Sequence, residues 1–274
     1  MASSLNVFIS GFWLLFFISP YSCTNVVEHV SRTKQLSHPK HPKHPKQPEP
    51  ALGPGVWKNA RATFYGSGDG TEGMGGACGY DEVKPKGYGV HNTALSPTLF
   101  NNGLTCGACY EIKCVNNHLC KPGCPRLIVT ATNLCASNGD WCSPPNEHFD
   151  LSQPAFLQIA EQKAGVTPIQ YRRVPCLKQG GTRFTITGNP YYTMVLVWNV
   201  GGAGDVTCLE VKGHEGAWNA MRRDWGQKWV TNVVLVHQSL SFRVRVSDGR
   251  AITSMNVAPR NWQFGQTFEG TNFK

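Results

Sequence analysis

The most reactive candidate in the chain is Asp150, which lies in the run Glu147-His148-Phe149-Asp150-Leu151-Ser152. In an extended segment His148 and Asp150 project to one side and Phe149 to the other, so a buried Phe149 would hold the carboxyl in a cleft. An Asp just before Gln153 also fits a helix N-cap or turn, and the residues alone leave both readings open. Thr63-Phe64-Tyr65-Gly66 alternates in the same way, with Thr63 and Tyr65 on one face and Phe64 on the other. A hydroxyl beside a carboxyl, with a tyrosine ring as a platform, is the chemistry of a sugar cleft; an ordinary edge strand is the plain alternative.

Cutting a glycosidic bond needs two carboxyl groups, one to protonate the leaving oxygen and one to activate water or attack the sugar. The second is hard to find here. The strand-like run Ile128 to Thr132 leads into Asn133, where a base would sit, and an amide cannot take up a proton at useful pH. Asp140 and Asp69 remain as loop candidates. Cys106-Gly-Ala-Cys109 has zinc-ligand spacing, but no partner pair or His cluster completes a tetrahedron, so neither a metal nor a cofactor is expected. Further along, Tyr191, Tyr192, Trp218, Trp225, Trp229 and Trp262 are more rings than a small β-domain needs for its core. A row of such rings on a flat sheet would stack on pyranose faces.

The elements that must position these residues follow from composition and punctuation. Val7 to Ile18 is an apolar run closed by Ser19-Pro20-Tyr21-Ser22-Cys23, too short to span a bilayer and fitting a secretory signal over 1–23. Of the 11 cysteines, eight fall between positions 78 and 142, which in an exported chain is a disulfide framework. Residues 24–55 carry His-Pro-Lys three times over positions 38–46 and read as a stiff polyproline spacer. From Trp57 the texture changes to Gly-rich turns between short apolar segments, including Tyr110 to Lys113 and Leu127 to Thr132, with one helix over Gln153 to Ala164. A break near Pro175 to Gly181 precedes strand-like runs at Arg183–Thr187, Thr193–Trp198, Val206–Val211, Val230–Val236 and Leu240–Val246, the pattern of a β-sandwich of about 90 residues. No later segment is apolar for long enough to cross a membrane.

The net charge is +9. Residues 24–55 hold five basic and two acidic side chains, 56–174 ten and nine, and 175–274 eleven and six, so the excess sits in the spacer and the second half. Outside a cell, a basic surface meets acidic polymers such as polyuronides. Nucleic acid is not indicated, because no basic helix or aromatic-basic motif is present.

Several stretches together resemble the expansins, and more closely the α-expansins of plants. They are Ala62-Thr63-Phe64-Tyr65-Gly66, Met74-Gly75-Gly76-Ala77-Cys78-Gly79-Tyr80, Cys106-Gly107-Ala108-Cys109-Tyr110-Glu111, His148-Phe149-Asp150-Leu151-Ser152, Tyr171-Arg172-Arg173-Val174-Pro175-Cys176, Asn199 to Asp205, and Asn261 to Phe268. The resemblance implies a mostly-β chain: a double-psi β-barrel domain over 56–176, related to family-45 endoglucanases, and an immunoglobulin-like β-sandwich over 182–273. It implies non-hydrolytic, acid-favoured loosening of plant cell walls by a secreted monomer whose partners are cellulose and matrix polysaccharides such as xyloglucan. It places Asp150, Thr63 and Tyr65 in the barrel cleft and Tyr191, Tyr192 and Trp225 on the cellulose-binding face. It also implies pairing Cys78 with Cys106, Cys109 with Cys176, Cys114 with Cys120 and Cys135 with Cys142, with Cys124 and Cys208 left over. The alternatives are a family-45-like endoglucanase with Asp140 as a displaced base, and a barwin-like defence lectin.

Overall fold

The computed structural model describes residues 53–68, 76–81, 84–137 and 141–274. The apolar run Val7–Ile18, the His-Pro-Lys tract, Asp69 and Asp140 lie outside them. Among the described residues no helix is long and apolar enough to cross a membrane.

Six strands make the first body: β1 (Lys58–Tyr65), β2 (Asn92–Leu95), β3 (Cys109–Cys114), β4 (Arg126–Leu134), β5 (His148–Ser152) and β6 (Thr167–Val174). They close in the order β1-β5-β2-β4-β3-β6, with β1 parallel to β5 and β2 parallel to β4, as a double-psi barrel requires. Closure removes the sheet edges and creates an inside, which the period-2 pattern fills. Ala62, Leu95, Ile112, Val129, Ala131, Phe149, Leu151 and Ile169 are all fully buried or nearly so. Two short helices, α1 (Pro97–Phe100) and α2 (Gln153–Ile159), cover the barrel.

The cap of α2 resolves one of the open readings. Ser152 supplies the side-chain oxygen that accepts from the N–H of Ala155, so Asp150 is a strand residue two places upstream. The helix is shorter than the expected Gln153 to Ala164: Ala160 is extended, and Gln162–Ala164 is a separate single turn. The reason is tertiary. Lys121 N–H donates to Ile159 and Glu161 N–H donates to Leu119, so the Cys114–Cys120 loop pulls this segment into a β-bridge that helix continuation would forbid.

The second body is a sandwich of two sheets. One has the order β11 (Arg222–Trp225), β12 (Lys228–Thr231), β8 (Tyr192–Trp198), β7 (Arg183–Asn189), β15 (Thr267–Glu269). The other runs β10 (Asn219–Ala220), β9 (Val206–Lys212), β13 (Leu240–Val246), β14 (Ala251–Ala258). Phe184 and Phe242 stack across the middle at 4.3 Å. The expected strand Val230–Val236 is displaced: β12 ends at Thr231, Leu235 turns into the core, and Val233 and Val234 face out. Trp229 and Trp262 are buried in this core, and Trp218, just before β10, lies under Arg243 of β13 in the same four-stranded sheet, so these three do not extend an aromatic row.

The two bodies are packed together. Leu196 and Trp198 on the outer face of β8 join the barrel's apolar cluster, and Arg173 of β6 forms an ion pair with Asp205. Gln227 donates to the carbonyl of Cys106 at 2.7 Å, and Cys176 pairs with Gly202 by backbone hydrogen bonds. Gly107 and Gly204, both at positive φ, face each other so closely that a Cβ on either would strike the other's carbonyl oxygen. Any side chain there would separate the domains.

Between pairs of described residues, disulfides join Cys78 to Cys106, Cys109 to Cys176, Cys114 to Cys120 and Cys135 to Cys142. Cys106 and Cys109 are thus consumed in different bonds, which removes the thiolates a zinc site would need. Cys124 is a free, exposed thiol, whereas Cys208 is disulfide-bonded and not left over.

Candidate functional site

Parallel pairing of β1 with β5 sets Arg61 against His148, Thr63 against Asp150, and Tyr65 against Ser152. All six side chains alternate with the buried Ala62, Phe149 and Leu151, so they form one polar ladder on the outer wall of the barrel. The apolar rungs between them are held firmly: Phe149 packs on Tyr171 at 4.8 Å, and Phe64 on Phe156 at 4.9 Å.

Asp150 is the centre of this ladder. The Thr63 hydroxyl donates to Oδ1 of Asp150 at 2.6 Å and lies 2.8 Å from Nε2 of His148. Burial raises the Asp150 pKa above its ordinary value, and the Thr63 hydrogen bond partly offsets this. Tyr65, whose hydroxyl donates to Asn92, is pushed up to about 12 by burial and by the Asp150 charge beside it. His148 is lowered to about 4 by burial and then by Arg61, so it is neutral above that pH. The result is a carboxyl inclined to hold its proton, flanked by a hydroxyl, a phenol and a neutral imidazole. Such a set can both donate and accept hydrogen bonds, as exchange with hydroxyl groups requires.

Asn133 has a structural task. Its side-chain oxygen accepts from the N–H of Ala77 and from its own neighbour Leu134, both at 2.8 Å, so it ties the Ala77 loop to the end of β4. An amide committed in this way cannot activate water.

On the sandwich, Tyr191 sits at the β7–β8 hairpin and is 79% exposed, so its ring is open to a ligand. Tyr192 opens β8 and is half-buried. Trp225 is exposed but reaches across to the barrel, where its ring lies 5.9 Å from that of Phe100 on α1. Trp225 pairs with Lys228, and Lys228 with Leu196, four residues along β8 from Tyr192. The register therefore puts Tyr192 and Trp225 on the outer face of the five-stranded sheet, roughly 15 Å apart, while Tyr191 lies in the turn just before β8. Arg61, Asn92 and Trp141 near the cleft were not singled out from sequence. Arg61 was within reach, because it continues the Thr63 and Tyr65 alternation by one step.

The family model described as Expansin C-terminal domain matches residues 182–259, and a model described as Lytic transglycolase matches residues 92–171. Expansin-A32 of Oryza sativa subsp. japonica is 56% identical over 226 residues, covering 79% of this chain and 84% of that protein. Expansin-A23 of Arabidopsis thaliana is 52% identical over 220 residues, covering 78% and 79% respectively. The crystal structure of the apo Clavibacter michiganensis expansin shares the fold at a TM-score of 0.61 and 20% identity, covering 79% of this chain and 97% of that one. A mutant of that protein in complex with cellohexaose gives a TM-score of 0.59 at 20% identity, with 78% and 96% covered. At 56% identity to a plant expansin-A over an alignment that covers most of both proteins, this chain belongs to the expansin-A family.

Proposed function

We propose that this protein loosens plant cell walls without hydrolysis: the sandwich face holds a glucan chain while the barrel ladder around Asp150 separates it from its neighbours. The reading rests above all on the Thr63–Asp150 hydrogen bond at 2.6 Å, which holds one carboxyl in a half-buried ladder of exchangeable hydrogen-bonding groups. Family membership supports it, and so does Asn133, an amide bound to backbone at the place where a hydrolase would need a base. The ligand class is cellulose with matrix glucans such as xyloglucan; the bacterial expansin in complex with cellohexaose supports the first of these. The apolar run at Val7–Ile18 directs export to the wall, and the protein acts there as a monomer.

The physical logic is exchange rather than bond breaking. A glucan chain in a wall is held by hydrogen bonds and stacked faces; a groove offering equivalent partners lowers the cost of lifting it off. Protonated Asp150 can donate as well as accept, so acid conditions widen the set of hydroxyls it can engage.

The test is extension of heat-killed plant walls under constant load at acid pH, run beside a reducing-end assay on soluble glucan. Wild type is expected to drive creep without releasing reducing ends. Steady turnover of reducing ends would replace this reading with an endoglucanase, and chitin binding without creep would replace it with a lectin.

A further inference from the structure

The polar ladder does not stop at Asp150. One rung further along, Arg61 and His148 border a depression of about 520 Å³ that also includes Trp141, Glu147, Asn59 and Asn146. Successive outward side chains on a strand are about 6.7 Å apart, so this depression begins one rung from the Thr63–Asp150 pair. Its volume lies within the range of about 300–1,000 Å³ for small-ligand sites.

Three features give it the chemistry of a sugar site. The first is Trp141, which is 38% exposed although the residue after it is fixed by the Cys135–Cys142 bond. The Arg61 guanidinium lies 4.3 Å from the Trp141 ring centroid, so the ring is held in place and keeps exposed area for a pyranose. The second is charge. Arg61 is balanced by Glu147, whose Oε2 accepts from the Tyr171 hydroxyl at 2.7 Å, so the depression suits a neutral sugar better than a uronate.

The third is His148. The single Thr63 hydroxyl proton is already given to Asp150, so Thr63 Oγ1 can only accept from His148, and Nε2 of that ring must carry the proton. Nδ1 is then a bare acceptor, and this buried atom has no hydrogen-bond partner. Leaving a buried polar atom unpaired is costly, and an incoming hydroxyl would supply the missing donor.

We propose that the depression bordered by Arg61, Trp141, Glu147 and His148 is a second glucan subsite, in which a neutral pyranose lies on Trp141 and donates a hydroxyl to Nδ1 of His148. The subsite is tied to the cleft by the chain His148–Thr63–Asp150, so a sugar unit bound here holds the adjoining unit over the carboxyl. This deepens the proposed function and rests on it.

The experiment is an NMR titration of the whole mature chain with cellohexaose, following the Trp141 indole N–H, the His148 ring nitrogens and the Thr63 amide. All three are expected to move along one binding curve, with the His148 Nδ1 resonance shifting as it gains a donor. Trp141→Ala is expected to weaken that curve about three- to tenfold, as loss of a stacking ring does. The subsite is overturned if Thr63 responds while Trp141 and His148 stay still, or if Trp141→Ala leaves the affinity unchanged. It is equally overturned if tetragalacturonate, and not cellohexaose, moves the two rings. Creep measured on the same wild-type sample separates the two levels: creep with silent rings removes only the subsite, whereas no creep and no response at Thr63 removes the proposed function.

Discussion

In the proposed function the barrel ladder and the sandwich face both meet a glycan, yet they hold their side chains in opposite ways. Around Asp150 the polar groups are buried or half-buried and, apart from Nδ1 of His148, the central ones are engaged: Thr63 binds the carboxyl, Tyr65 binds Asn92, and the apolar rungs between are closed by Phe149 and Leu151. On the sandwich, Tyr191 stands clear of the sheet and Trp225 is open on one side. Ordered polar groups confer direction, because each hydrogen bond has one geometry and its misplacement is costly. Open rings confer retention, because stacking tolerates sliding along a chain of repeating pyranoses. Under the proposed function this contrast fits displacement by the barrel and attachment by the sandwich.

The strongest way to break this contrast is Asp150→Asn. Creep at acid pH is expected to fall by an order of magnitude or more, while sedimentation with cellulose stays within about twofold of wild type. A parallel fall in binding would mean that the barrel also attaches. The pair Tyr191→Ala and Tyr192→Ala should give the mirror image, with cellulose binding weaker by roughly three- to tenfold and creep recovering as protein concentration rises. Creep that fails to recover would show these rings taking part in displacement.

A finer probe uses the pH profile. Burial favours the protonated form of Asp150 and the Thr63 hydrogen bond opposes it. Removing that hydroxyl in Thr63→Val should therefore raise the Asp150 pKa further, and the pH at which creep is lost should move upward. A shift downward, or none, would separate the pH dependence from Asp150. The smallest expected effect is at Cys124, a free and exposed thiol. Cys124→Ser should leave creep, cellulose binding and thermal midpoint unchanged within error. Loss of creep alone would place a functional contact on a part of the barrel that neither surface includes.

Much of the site could be read from alternation alone. Thr63, Tyr65, His148 and Asp150 each follow or precede a buried or partly buried apolar neighbour by one position, and a β-strand has no freedom to place them otherwise. The two-body organisation and the strand at Leu240–Val246 were likewise legible from turn residues and period-2 pattern. The helix beyond Ile159 was not, because its end is set by the remote Cys114–Cys120 loop and not by its own residues. The same holds for Val233 and Val234, which have strand composition but leave the sheet, since composition carries no record of where a neighbouring strand ends.

What the sequence determined by itself is therefore local: which side chains share a face, where turns fall, and that an amide, Asn133, follows the run Ile128 to Thr132. What only the tertiary structure decided is adjacency across the chain. Parallel pairing of β1 and β5 brings Thr63 to Asp150 over 87 positions, sets Arg61 beside His148, and leaves Trp141 beside them. Trp229 and Trp262 went to the core while Trp225 stayed open, though all three are the same residue type. The physical reason is that burial depends on the facing sheet, which a strand's own residues do not encode.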